Sequence, residues 1–268
     1  MIYFCPTPIG NLEDITLRTL RVLRESDIIF AEDTRVTLKL LNHYDIKKKL
    51  YSYQKFNESE VSEDIIKYNE DGLNICLVTD AGMPGISDPG EVLVKKLIEE
   101  NIDFRVLPGP NAALTALVGS GLNTENFYFK GFTSPKSSAR KKELEAIKDL
   151  KATIIFYEAP HRVLDFLRDL LEIFGDREIS ISRELTKIYE ETIRGKISEI
   201  LQGNLKVKGE FVIICHGKED EEIKLDIEDL LREKILKGIS KSQAVKEIVK
   251  EYNLSKNYIY KESLKLDV

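Results

Sequence analysis

Residues 74–101 read NICLVT, DAGMPGISDPG, EVLVKKLIEEN. The first block is apolar and β-branched, the pattern of a strand buried on both faces. The second packs three glycines and two prolines into eleven residues. The third has helical period. Strand, glycine/proline loop, helix is the unit of an open α/β sheet, where ligands bind beyond the carboxyl ends of the strands. The same unit recurs: PTPIGN at 6–11 follows IYFC at 2–5, PGPNAA at 108–113 follows DFRVL at 103–107, and EAPHR at 158–162 follows ATIIFY at 152–157. Six of the eight prolines fall in the first three of these loops, so they are not scattered turn residues. Glycine lets backbone approach a ligand and proline stiffens the loop. Four such loops predict one pocket of adenosine size, read largely by backbone groups.

Further strands are expected at 27–31, 74–79, 127–130, 178–182 and 211–215, and helices at 16–25, 59–71, 91–101, 136–149 and 161–174. In the last of these Val163, Leu164, Leu167, Leu170, Leu171 and Phe174 share a face. The alternation predicts two α/β lobes with parallel or mixed sheets, residues 1–114 and 115–218, followed by a small helical unit at 219–268. In that unit the acidic run 219–222 and the charged stretch to Asp229 read as a hinge. Ala244, Val245, Ile248 and Val249 form an apolar helix face, Asn253-Leu254-Ser255 breaks the helix, and a second helix runs through Tyr258, Ile259 and Leu264. This reads either as a helix-turn-helix or as a plain helical hairpin.

Hydrophobic residues make 42% of the chain and charged residues 32%, the balance of a folded protein and not of a disordered one. No run is long enough to span a membrane, and MIYFCPTPIG lacks the basic region and cleavable apolar run of a secretory signal. A cytoplasmic protein is therefore expected. Cys5, Cys76 and Cys215 are far apart in the sequence and read as three buried thiols. The net charge of −6 argues mildly against a nucleic-acid partner. It is unevenly spread, however: from Arg232 onward nine bases face five acids, a local +4. A P-loop, a G-x-G-x-x-G fingerprint, a nucleophile elbow and zinc spacing are all missing from the sequence. A ligand without phosphates, held without metal, fits S-adenosylmethionine better than ATP or NAD.

PTPIGNLEDIT at 6–16, AEDTR at 31–35, VTDAGMPGISDPG at 78–90, LPGPNAALTAL at 107–117, FYEAPHR at 156–162, RELTK at 183–187 and GEFVIICHG at 209–217 resemble, in order, the motifs of the ribosomal RNA small-subunit methyltransferase I group within the tetrapyrrole methylase superfamily (class III methyltransferases). The resemblance covers about residues 1–217, and the terminal unit is similar to that group's small C-terminal domain. It implies a cleft for S-adenosylmethionine between two lobes, a homodimer, and 2′-O-methylation of a cytidine ribose in 16S rRNA. It implies cofactor contacts at Ile9, Gly10, Asp80, Met83, Asn111, Ala112, Tyr157, Leu185, Glu210 and Phe211. The middle loop carries Met83-Pro84-Gly85-Ile86 where Thr-Pro-x-Ile would also fit the pattern.

The charged residues at strand ends supply the remaining candidates. Asp33, Glu158 and His161 are the candidate bases for a ribose hydroxyl, a poor nucleophile at neutral pH. Arg35, Arg162, Arg183 and Lys187 are candidates for gripping RNA phosphates, with naked rRNA or the assembled small subunit as partner. Asp80 suits a cofactor hydrogen bond or a loop cap, and Asp88 a functional role or an N-cap of the following helix. Glu32, Asp33 and Arg35 suit ribose or phosphate handling, or an ion pair. Two other functions remain compatible with these residues: methylation of a tetrapyrrole or other small molecule, and non-catalytic RNA binding.

Overall fold

The computed structural model describes residues 1–219, 226–252 and 254–265. The chain divides into two compact units, Met1–Lys218 and Glu219–Val268.

The first lobe holds β1 (Ile2–Phe4), α1 (Leu17–Glu25), β2 (Ile28–Ala31), α2 (Thr34–His43), β3 (Lys49–Ser52), α3 (Glu58–Glu70), β4 (Ile75–Val78), α4 (Glu91–Glu99) and β5 (Phe104–Val106). Its sheet has the order β3-β2-β4-β1-β5 and every pairing is parallel. Side chains alternate across it, so each face needs its own cover. Ile29, Cys76 and Val78 pack beneath Leu20, Leu23 and Leu41 on one side. Phe30, Ile75 and Leu77 pack beneath Ile65, Leu93 and Leu97 on the other. Burial on both faces is why these strands are apolar throughout and show no polar alternation. Because β1 lies beside β4, their carboxyl-end loops meet. Thr7 and Gly82 exchange two backbone hydrogen bonds, 2.9 and 3.0 Å.

The second lobe holds α5 (Ala112–Ser120), β6 (Phe127–Phe132), α6 (Ser137–Glu145), β7 (Thr153–Glu158), α7 (Val163–Phe174), β8 (Glu178–Arg183), β9 (Glu191–Lys196), α8 (Ile197–Gln202) and β10 (Phe211–Cys215). The order is β6-β7-β10-β8-β9, with β6–β7 parallel and the other pairings antiparallel. Phe156, Ile181 and Ile213 pack on Phe166, Leu167 and Leu170 of α7. The opposite face, through Ile155, Val212 and Ile214, is covered by Ala113, Ala116 and Leu117 of α5. A boundary at 114/115 therefore falls inside a helix that packs on the second sheet from its first turn.

Several elements differ from the sequence expectation. β3 and β9 are edge strands with few buried residues, so no apolar period announces them. β6 runs on to Phe132 through a register shift between Phe129 and Gly131, where Gly131 has φ of 67°. Cys5 and Cys76, 71 residues apart in sequence, are neighbours in space with Sγ atoms 3.7 Å apart. The hydrogen-bonded Cys76 thiol and burial raise the Cys5 thiol well above its ordinary value. All three cysteines are buried and free.

The second unit has α9 (Ile227–Leu236), α10 (Lys241–Tyr252) and α11 (Lys256–Ser263) around Leu231, Ala244, Val245, Ile248 and Ile259. The Asp226 carboxylate caps α9 by accepting from Asp229 N at 3.1 Å, so helix already occupies the stretch to Asp229 that read as a hinge. Residues 220–222 and Asn253, parts of the expected hinge and helix break, lie outside the described residues.

The two lobes of the first unit touch where the 6–11 loop meets the β8–β9 loop. Asn11 N donates to Thr186 Oγ1 at 2.9 Å. A Cβ on Gly10 would lie 2.6 Å from Lys187 Cγ and from Thr186 Oγ1, and 2.7 Å from the Leu185 carbonyl oxygen. Overpacking of this kind costs about 1–3 kcal/mol. Gly10→Ala is expected to lower the denaturant midpoint by a corresponding amount with unchanged far-UV circular dichroism. An unchanged midpoint would mean that the loops part at no cost.

Candidate active site

The loops after β1, β2, β4, β5 and β7, with the β8–β9 loop and the start of β10, enclose a cavity of about 390 Å³. Small-molecule sites commonly span about 300–1,000 Å³. Nine of the ten expected cofactor residues line it: Ile9, Asp80, Met83, Asn111, Ala112, Tyr157, Leu185, Glu210 and Phe211. Gly10 does not, and its role in the structure is the close approach of the lobes. Of the three candidate bases only Glu158 lines the cavity.

The polar walls are built by local capping and by strand ends. Asn111 caps α5, its side chain accepting from Leu114 N at 3.0 Å, so the first turn of α5 opens onto the cavity through Asn111 and Ala112. Asp80 accepts from Asp33 N at 3.0 Å, and Glu32 accepts from Asp80 N at 3.4 Å. Burial raises the carboxyls of both Asp80 and Glu32, against the hydrogen bonds that favour their charged forms. Tyr157 stands between Phe129 and Phe132, edge to face with centroids 5.2 and 5.5 Å away. Burial pushes its phenol up to about 12, so it stays protonated. Glu158 has a side chain 0% exposed. Its Oε1 accepts from Arg162 Nε at 2.6 Å and from Ala159 N at 2.8 Å, while its buried Oε2 has no partner.

Five carboxylates line the cavity, from Glu32, Asp80, Asp88, Glu158 and Glu210. Among the described residues no Lys, Arg or His does. Glu32, Asp88 and Phe132 were not among the residues expected to hold the cofactor. Glu32 could have been taken from the AEDTR strand end. A glycine within the FYFKGF run signals the bulge that brings Phe132 in. Among the described residues no group of three or more His, Cys, Asp or Glu could hold a metal ion.

The cations expected at the rim are already paired. Arg35 Nη2 lies 2.5 Å from Asp33 Oδ2, and its hydrogen bonds hold the Asp33 carboxyl down to about 2. Arg183 is buried and donates to Glu191 at 2.6 Å, bracing β8 against β9. Lys187 lies 3.0 Å from Glu184 and 3.4 Å from Glu210. His161 and Arg162 line a second cleft with Arg140, Arg168, Asp165 and Asp169 at the starts of α6 and α7. Its three arginines are each paired with a carboxylate, Arg140 with Asp169, Arg168 with Asp165 and Arg162 with Glu158. Among the described residues no helix is long and apolar enough to cross a membrane.

This chain belongs to the family of tetrapyrrole (corrin/porphyrin) methylases, whose model matches residues 1–201. Within that family it is similar to proteins named ribosomal RNA small subunit methyltransferase I. The one from Bacillus subtilis (strain 168) is 43% identical over 97% of this chain and 92% of its own length. The one from Thermotoga maritima is 46% identical over 80% of this chain and 96% of its own length. Among solved structures, uroporphyrin-III C-methyl transferase from Thermus thermophilus complexed with S-adenyl homocysteine has a TM-score of 0.58 at 17% identity, covering 80% of this chain and 96% of that one. Diphthine synthase has a TM-score of 0.64 at 13% identity, covering 80% and 89%. At such identities these two show the fold alone.

Removing one partner of a buried ion pair strands the other and costs about 3–5 kcal/mol, whereas an exposed pair is worth about 0–1 kcal/mol. Arg162→Met is therefore expected to destabilise strongly, because Glu158 stays buried. Arg168→Met, which breaks an exposed pair with Asp165, should change little. Urea unfolding of the two variants compares them; equal midpoints would mean that Glu158 finds another donor.

Proposed function

We propose that this chain transfers the methyl group of S-adenosylmethionine to the 2′-hydroxyl of a cytidine ribose in small-subunit ribosomal RNA. The observation that carries the reading is the charge of the cavity, five carboxylates with no base among the described residues. That lining repels phosphates and suits a ligand with a sulfonium, an ammonium and no phosphate. The buried Glu158 Oε2 has no partner in the structure, and a lone buried oxygen costs stability until a donor reaches it. The name carried by relatives above 40% identity supports rRNA as the substrate. The cytidine ribose rests on the seven ordered motifs.

When bound, S-adenosylmethionine supplies an activated methyl group. The residues of this chain bind, orient and exclude water. Ile9, Met83, Ala112, Leu185, Phe211 and Tyr157 give apolar walls; Asp80, Asn111 and Glu210 give polar ones. Alignment of a hydroxyl with the methyl carbon supplies much of the rate in such a displacement. The exposed Arg168 at the cleft beside the 158–162 loop, and the exposed Arg35, are the cations within reach of RNA phosphates next to that alignment. Of the three bases expected from sequence, Glu158 alone borders the cavity, with its carboxylate buried against Arg162, whereas Asp33 and His161 stand outside it. Assembly as a cytoplasmic homodimer belongs to the same proposal. Val118, Ile188 and Tyr189 are 77%, 95% and 75% exposed, apolar surface that a second copy would cover.

Three results are expected. Calorimetry should find S-adenosylmethionine bound at about micromolar affinity, roughly −8 kcal/mol, and no binding of ATP or NAD. Asp80→Ala should weaken that binding by about 1.5–3 kcal/mol; unchanged affinity with a lower melting temperature would make Asp80 a brace of its loop only. Small subunits from cells lacking the protein, incubated with it and S-adenosylmethionine, should gain 2′-O-methylcytidine by nucleoside mass spectrometry. Methylation at a base carbon or nitrogen would overturn the ribose assignment.

The truncated chain 1–218 should keep its cofactor affinity, since every residue proposed to touch the cofactor lies within it. The Thermotoga maritima relative is matched over 96% of its length by a span of about that size. Residues 232–268 are proposed to add rRNA affinity through their local positive charge. Their removal should make binding weaker and less salt-dependent, by about 0.7 in log–log slope for each single-strand phosphate that is no longer neutralised. An identical slope would leave the terminal unit without that role.

A further inference from the structure

We propose that Asp88 accepts the proton of the attacking hydroxyl. The inference rests on reading the cavity as a methyl-transfer site, and it concerns a carboxylate that the sequence left between a functional role and helix capping. The structure gives the capping task to no side chain. The N-cap of α4 is Gly90, with φ of 142° and no side-chain cap. Asp88 is thereby released to the cavity wall, half-buried between Ser87, itself at φ of 66°, and the buried Pro89.

Each of the other four carboxylates already accepts a hydrogen bond or lies beside a cation. Glu158 accepts from Arg162 and Ala159 N, at 2.6 and 2.8 Å. Glu210 lies 3.4 Å from Lys187 Nζ. Asp80 accepts from Asp33 N and Glu32 from Asp80 N. Among the described residues no hydrogen-bond donor reaches the Asp88 carboxylate. Hydrogen bonds to a carboxylate favour its charged form, and Asp88 has none to do so.

The surroundings of Asp88 act in the same direction. Glu32 at the end of β2, Asp80 at the end of β4 and Glu210 before β10 face it with like charge, and the protonated Tyr157 phenol of β7 faces it too. Lys55, after β3, is the one cation that opposes them among the groups that act on it. Burial, then Glu32, push the carboxyl up to about 7. A base of that strength divides its time between the two forms at neutral pH, which suits proton transfer.

The step balances as follows. A lone pair of the hydroxyl oxygen forms the bond to the methyl carbon. The carbon–sulfur bond breaks and its electron pair stays on sulfur, which leaves as a neutral thioether. The hydroxyl proton passes to Asp88 and from there to solvent.

The test uses the full chain, S-adenosylmethionine and small subunits isolated from cells lacking the protein. In the free protein, carbon-13 spectra should contain one side-chain carboxyl that titrates near pH 7 and is missing from Asp88→Asn. Single-turnover methylation by the unsubstituted protein should rise with pH through that value as the carboxyl ionises. Asp88→Asn should lower the rate by about 10²–10⁴-fold, the usual worth of a general base, and abolish the rise. Its S-adenosylmethionine affinity should fall far less than the rate, since four other acidic residues still line the cavity, and Asp88→Glu should regain part of the rate. An Asp88→Asn protein that keeps the rate and the rise overturns the proposal. So does one that loses cofactor affinity in step with the rate, because Asp88 would then be a binding residue. Failure of the unsubstituted protein to methylate any ribose would bring down the reading beneath, and that is seen before any variant is compared.

Discussion

The backbone of Ile9–Asn11 lies against that of Leu185–Lys187 with no room for a side chain at Gly10, and Asn11 N bonds to Thr186 across the join. This contact sets the distance between two sheets that share no strand. At that distance Glu32, Asp80 and Asp88 of the first lobe and Glu158 and Glu210 of the second face one space. Such like charges repel, so the lobes are held together against their electrostatics by apolar packing elsewhere. Ile9 of the first lobe, packed against the second-lobe cluster of Leu185, Val212 and Ile214, is one such place.

Charge is segregated over a few residues of chain. Along 158–162, Glu158 to Pro160 border the acidic cavity while His161 and Arg162 border the basic cleft outside. The Glu158–Arg162 pair ties the two surfaces through a single hydrogen bond of 2.6 Å. Most bases near the site are spent on carboxylates: Arg183 on Glu191, Arg140 on Asp169, Lys187 on Glu184.

Residues that obey a period or a turn rule could be read from the sequence. The apolar β1, β2, β4, β7, β8 and β10 and the amphipathic α1, α3, α4 and α7 stood out, as did the loops that carry the cavity. β3 and β9 did not, since edge strands bury little. Nor did α5, where AALTALVGS is apolar around most of its circumference and offers no polar stripe to set a period. Among site residues, backbone-driven positions such as Ile9, Asn111 and Ala112 followed from the loops and the family resemblance. Charged positions were harder. Whether a strand-end acid faces a cavity, as Glu32 does, or an arginine, as Asp33 does, depends on a rotation of one residue that no spacing encodes. Asp88 could be read as a cap because capping is a local rule, and Gly90 took the position instead.

The chain crosses from the first lobe to the second through residues 107–112, and the last of these, Asn111 and Ala112, are part of the cavity wall. The covalent link between the lobes is therefore also part of the cavity wall. A molecule held there touches both halves and the segment joining them, so it binds their joined state and neither half alone. Occupancy then adds to the cohesion of the first unit by mass action, about 2.7 kcal/mol at a ligand concentration one hundred times its dissociation constant. The abundance of the small molecule in the cell thereby becomes one of the terms that decide how much of this protein is folded.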